Sequence, residues 1–155
     1  MEFSAQIDTR QLNRAFNAFP QQLRSNLSLG LKIHSRYVQE EARRKHRFTS
    51  RSGATELSIE NRVNERDLTS RIGINKSVSP HGGFVHDGTK PHVIRRKNKK
   101  VLRYVKNGKF HFAKKVNHPG TRPDPFIENS AEKLKPAFNS RINQAVEKAA
   151  KGAGF

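Results

Sequence analysis

The chain contains no cysteine among its 155 residues. No disulfide and no thiolate nucleophile can form, so folding is not tied to an oxidising compartment. The usual cysteine-based structural zinc sites are excluded as well. No run of about 18 apolar residues occurs, so no membrane-spanning helix is expected. The opening residues, MEFSAQIDTR, lack the basic-then-apolar layout of a secretory signal. Hydrophobic residues make up 33% of the chain, which is low for a self-sufficient core. There is no G-x-S-x-G elbow and no G-x-x-x-x-G-K-[ST] loop, which removes two common routes to hydrolysis.

Acid is the other scarcity. Thirteen Asp and Glu face thirty-one Lys and Arg, a formal net charge of +18. Between residues 90 and 122 there are twelve basic residues and no acidic one. Two thirds of the net charge therefore sits in about a fifth of the chain. A solubilising face normally mixes signs. Such a block points to nucleic acid, an anionic membrane or acidic protein surfaces as partner.

Local patterns give an outline. Residues 9–19 place Leu12, Ala15, Phe16 and Phe19 at helical spacing, with Thr9 or Asp8 as the expected N-cap. Pro20 is expected to restart the chain. A stripe of Leu23, Leu27, Leu31, His34, Val38 and Ala42 then predicts a long amphipathic helix to about Lys45. The stretch 48–56, FTSRSGATE, reads as a loop. Leu57, Ile59 and Val63 predict a strand, the segment 64–67 a turn, and Leu68, Ile72 and Ile74 a second, antiparallel strand. FVHDGT, residues 84–89, reads as a short strand ending in a tight turn.

Within VLRYVKNGKFHFAKKV, residues 101–116, Asn107-Gly108 separates two β-prone runs. A two-residue type I′ turn needs positive φ at both positions, which Asn-Gly supplies. Residues 90–116 are therefore expected to form a long basic hairpin. Its Tyr104, Phe110 and Phe112 suit stacking on bases as well as cross-strand packing, the commoner use. Residues 117–126, with three prolines, form an extended connector. Ile127, Ala131, Leu134, Phe138, Ile142, Val146 and Ala149 then predict a C-terminal helix over about 125–150. Asp124-Pro125 is its start, Glu128 favours the positive end of its dipole, and Pro136 is an expected kink. The last five residues should fray.

The segment GFVHDGTKPH, residues 83–92, gathers His86, Asp87 and His92 around a Gly-Thr step. The spacing matches no metal motif, and no carboxylate lies between Asp87 and Asp124. A hydrolytic metal needs His and carboxylate ligands converging on one ion. The expectation is no catalytic residue, no metal and no cofactor. Gly88 instead lets the chain turn and Thr89 caps the turn.

Three motifs in order resemble one family. They are SRSGATELSI (50–59), GFVHDGT (83–89) and HPGTRPDPF (118–126). Together they are similar to the neck, or tail-completion (head–tail joining), proteins of long-tailed bacteriophages, over roughly residues 20–150. Ser52 stands where the family pattern has Thr, and Thr55 where it has an apolar residue. The resemblance implies a structural virion protein and no enzyme. It implies a homo-oligomeric ring, hexamer favoured and dodecamer possible, placed in the neck of the virion after assembly in the host cytoplasm. Neighbouring head-closure or connector proteins, tail-terminator or tail-tube proteins, and double-stranded DNA in the lumen are the partners it implies.

The expected fold is a single α+β domain over residues 1–155. An antiparallel sheet of about four to five strands is packed by the long N-terminal helix and the C-terminal helix. Arg95, Arg96, Lys97, Lys99 and Lys100 are expected to face DNA. Lys106, Lys109, Lys114, Lys115, His86 and Asp87 are expected at protein interfaces. Gly53, Gly88, Thr89, Gly120 and Pro125 are expected to shape turns. The alternative is a free basic nucleic-acid-binding protein, and a nuclease comes third.

Overall fold

The first helix, α1, runs unbroken over Arg10–Arg44 in the computed structural model, which describes residues 10–154. Both residues expected as its N-cap lie outside the described residues. Pro20 does not restart the chain; it sits inside α1. It is exposed, so the carbonyl that its ring deprives of a donor can turn to water. The last helix, α4, spans Phe126–Ala153 and likewise continues through an exposed Pro136, without the interruption expected there. Its end does not fray at residue 151: the helix reaches Ala153, and Gly154 closes it with a φ of 92°. Gln22 Nε2 donates to the Gly152 carbonyl at 2.9 Å.

The two long helices lie antiparallel. Gln22 meets Gly152, Asn26 meets Ala145, the His34 ring lies 4.7 Å from that of Phe138, and Glu41 pairs with Lys133. Ala15, Val38, Ala42, Ala145 and Ala149 are buried. Beyond Arg44, the helix α2 (Ala54–Leu57) replaces the expected loop and strand start, leaving Leu57 exposed. Strands β1 (Ile59–Asn64) and β2 (Thr69–Ile74) pair antiparallel with Ile59 opposite Ile74. Leu68 falls in their turn with a φ of 48°, outside the strand. The centre of the core is Ala42, Ile59 and Phe126, with Phe48, Ile72, Ile74 and Ile127 packed around it.

FVHDGT does not form a strand. Residues Gly82–His86 make helix α3, closed by the Asp87 amide donating to the Gly83 carbonyl at 2.8 Å. A strand here would need a neighbour. The chain that arrives beside it pairs at two separate points only: the Asp124 amide donates to the carbonyls of Val85 and His86, and Thr121 exchanges backbone bonds with Thr89.

From Thr89 the chain leaves this body and returns at Thr121. Strand β3 (His92–Arg95) pairs with β6 (Lys115–His118), and β4 (Leu102–Lys106) with β5 (Lys109–Ala113). The class is α+β, as expected. Its strands are shared among three two-stranded antiparallel ladders and are not joined into one sheet of four or five. The strands of the excursion pack on one another and hardly on the helices. The first residues of the expected connector, 117 and 118, belong to β6.

Candidate functional site

The basic excursion is built from its root upward. Gly88 and Gly120 have φ of 72° and 90°. A Cβ on Gly88 would lie 2.6 Å from the Thr121 carbonyl oxygen, and one on Gly120 2.2 Å from that of Thr89. Only glycine fits both the conformation and the space. The close approach lets Thr89 and Thr121 bridge: the Thr89 amide donates to the Thr121 carbonyl at 3.0 Å, and the reverse bond is 3.1 Å. Thr89 Oγ1 also accepts from the Thr121 amide at 3.0 Å. Gly53, with a φ of 71°, precedes α2, and Pro125 precedes α4.

The hairpin continues from that root. His92 and His118 face one another, ring centroids 5.0 Å apart. The Arg96 amide donates to the Lys114 carbonyl at 3.2 Å, and residues 97–101 then form a loop before β4 begins. At the tip, Asn107 and Gly108 have φ of 52° and 73°, the conformation a two-residue primed turn requires. Lys106 and Lys109 close it as a cross-strand pair.

The structure brings the five residues expected to face DNA into one place. Arg95, Arg96, Lys97, Lys99 and Lys100 line an open concavity together with Arg103 and Phe112. It divides the four lysines expected at protein interfaces. Lys106 and Lys109 stand at the tip, while Lys114 and Lys115 stand where stem and tip meet. All nine side chains are exposed.

His86 is not the surface group expected from the sequence. Its side chain is only 11% exposed, and its ring stands edge-on to Phe126 at 4.9 Å. Nδ1 is 2.7 Å from Asp87 Oδ1. Nε2 lies 2.6 Å from Glu128 Oε2, within ion-pair range but off the line of a hydrogen bond. Helix α3 sets the imidazole against Phe126. Asp87 is exposed.

Asp124 has a role that sequence reading missed. Its carboxylate does not cap α4. It is 6% exposed and accepts from the amides of Arg47 at 2.5 Å and Phe48 at 3.2 Å, and from Arg47 Nε at 3.2 Å. Burial alone would raise its pKa; the hydrogen bonds and the charge of Arg47 outweigh it and hold the carboxyl below its ordinary value. No local signal joins residues 76 and 77 positions apart.

Two faces expose apolar side chains. On α1, Leu29, Ile33 and Tyr37 recur every four residues and, with Asn61 and Val63 of β1, line an open groove. On the hairpin, Val105, Phe110 and Phe112 are 61%, 63% and 65% exposed. A second apolar row on α1, two residues behind the row of Leu27 and Leu31, was the sequence signal for the first face. Among the described residues, no three or more His, Asp or Glu side chains are grouped so as to hold a metal ion, and no helix is long and apolar enough to cross a membrane. The chain matches no protein-family model, no curated protein and no solved structure.

Proposed function

We propose that this chain is a structural subunit of a phage neck, forming a homo-oligomeric ring that joins a DNA-filled head to a tail. The observation that carries the reading is the excursion itself. A ribbon with eleven cations and no acid stands on a helix-pair body that exposes Leu29, Ile33 and Tyr37 on α1. A ring needs heterologous contacts, in which one patch meets a different patch of the next copy. The partly exposed stripe of Leu29, Ile33 and Tyr37, with Arg141 lying over the tyrosine ring, is the contact this reading assigns to a neighbouring subunit. The cations of residues 95–100 line the DNA channel and touch phosphate without reading sequence. Lys106 and Lys109, at the tip, reach the adjoining head-side or tail-side proteins, where charge sets orientation and encounter rate. Lys114 and Lys115 assist them from the base of the tip. No group on the chain acts as a catalyst in this role.

The test is genetic. Removing the gene from the phage that encodes it should leave full heads and separate tails, and supplying the chain in trans should restore joined particles. Normal tailed particles without the protein would exclude the reading.

A further inference from the structure

The geometry points to a binding site for unpaired nucleic acid on one face of the hairpin, with bases laid on Phe110 and Phe112 and phosphates held by the 95–100 loop. The inference is argued from the hairpin alone; it draws on the same 95–100 cations that the neck reading turns towards duplex phosphate, and its failure would leave that reading standing.

The register sets the face. Arg103 is opposite Phe112 and Val105 opposite Phe110, so these four side chains share one side of the ribbon. Tyr104 stacks on His111 on the other side, 5.5 Å apart. Cross-strand packing therefore does not use up the phenylalanines: the Arg103 guanidinium lies 4.9 Å from the Phe110 ring centre, yet both rings stay more than half exposed. A two-stranded ribbon with a bare aromatic face is marginal in water by itself, so the face is built to be covered.

Charge selects what covers it. Arg95, Arg96, Lys97, Lys99, Lys100 and Arg103 line one concavity with Phe112, and no acidic side chain lines it. Cations gathered so closely repel one another until an anion relieves them. The chain carries thirteen acidic residues against thirty-one basic ones, so a second copy would bring far more cation than anion to this face. A polyanion from outside the chain is the occupant this charge favours.

Ring geometry selects the kind of polyanion. Phe110 and Phe112 are two residues apart on a strand, about 6.8 Å along its axis. Bases stacked in a duplex are about 3.4 Å apart and present no free faces. Bases of an unpaired strand can be splayed onto successive rings while its backbone follows a positive groove. Phe112 and Arg103 line the same concavity as the 95–100 loop, so rings and cations address one ligand.

The chain has no tryptophan, so Phe112→Trp installs a single reporter on the face. The purified full chain is titrated with an oligothymidine of about 20 nucleotides, a duplex of equal length, and phosphatidylglycerol vesicles. Quenching of the tryptophan by the oligothymidine is the expected result. Leucine at both 110 and 112 keeps the face apolar but removes stacking. That variant should bind the single strand at least about tenfold more weakly and the duplex unchanged, whereas tyrosine at both positions should bind normally. Glutamine at Lys97, Lys99 and Lys100 should lower the salt slope for the single strand by about 2. Circular dichroism should be unaltered in all of them, because every changed side chain is exposed. Tighter binding to duplex with no effect of leucine would overturn the proposal in favour of phosphate contact alone. Vesicle binding without oligothymidine quenching would overturn it in favour of a membrane surface. Loss of self-association on leucine substitution, with nucleic-acid binding intact, would overturn it in favour of a subunit interface.

Discussion

Single residues decide how the excursion is anchored, and Asp124 is the clearest case. Its carboxylate holds the chain after α1 while its amide holds the end of α3. Asp124→Asn should cost about 1.5–3 kcal/mol, the scale of hydrogen bonds to a charged group, and lower Tm by roughly 3–12 °C. Because the folded pKa is depressed, this stabilisation is present above the unfolded-state value of about 3.9 and is lost as pH falls through the lower folded value. The gap in Tm between the wild type and Asp124→Asn should therefore be widest near neutrality and close towards the acid end of that window. A constant gap across the titration would show that the charge is not what stabilises. Gly120→Ala tests the root. It should cost at least about 2 kcal/mol, through left-handed strain and the approach to the Thr89 carbonyl, and should speed proteolysis within 90–119. Unchanged proteolysis would mean that the Thr89–Thr121 bridge does not hold the hairpin. The special turns were readable in the sequence, since glycine beside threonine or asparagine advertises positive φ. The partner of Asp124 was not, because a carboxylate before a proline at a helix start looks like a cap wherever its true partners lie.

At the scale of elements, periodicity carried the reading where the element is long or its turn is specified. Helix α1, the β1–β2 pair, the Asn107-Gly108 hairpin and α4 all stand close to where their spacing puts them. The misses are short. Helices α2 and α3 have four and five residues, too few for a period to register, and α3 depends on what arrives beside it. The two prolines inside long helices misled for a related reason: local chemistry forbids a hydrogen bond there, but the packed opposite face keeps the helix together. On the proposed reading, α1 and the hairpin do different work, and they can be separated. Ile33→Glu should leave a folded monomer, because the side chain lies on the bare stripe, yet abolish ring formation in sedimentation. Rings at normal yield would move the subunit contact elsewhere. Replacing residues 94–114 with a Gly-Ser closure should retain the helical circular dichroism, since the excursion hardly packs on the helices, but block head–tail joining. Joined particles at normal yield would make the hairpin dispensable.

Across the whole molecule, the charge and the small core belong to one account. Among the described residues the core centres on the cluster of Ala42, Ile59 and Phe126, and polar ties from Asp124 and Glu41 supplement it. Assembly with neighbours would bury the α1 stripe and complete the subunit, and duplex DNA, with one negative charge per about 1.7 Å of axis, would offset the repeated cations of a ring. The fold class was legible from alternating periods, and the basic block from composition alone. Which way the block faces was not, because a hairpin's two sides are set by register and by where the loop at 97–101 interrupts it, and these appear only in three dimensions. The central claim, a ring subunit fixed in the virion, is tested most directly by quantitative mass spectrometry of purified particles of the phage encoding this chain. The account predicts an integral ring's worth of copies in every particle, a hexamer or a dodecamer. Purified infectious particles that lack the chain, or carry it only as a trace, would contradict it.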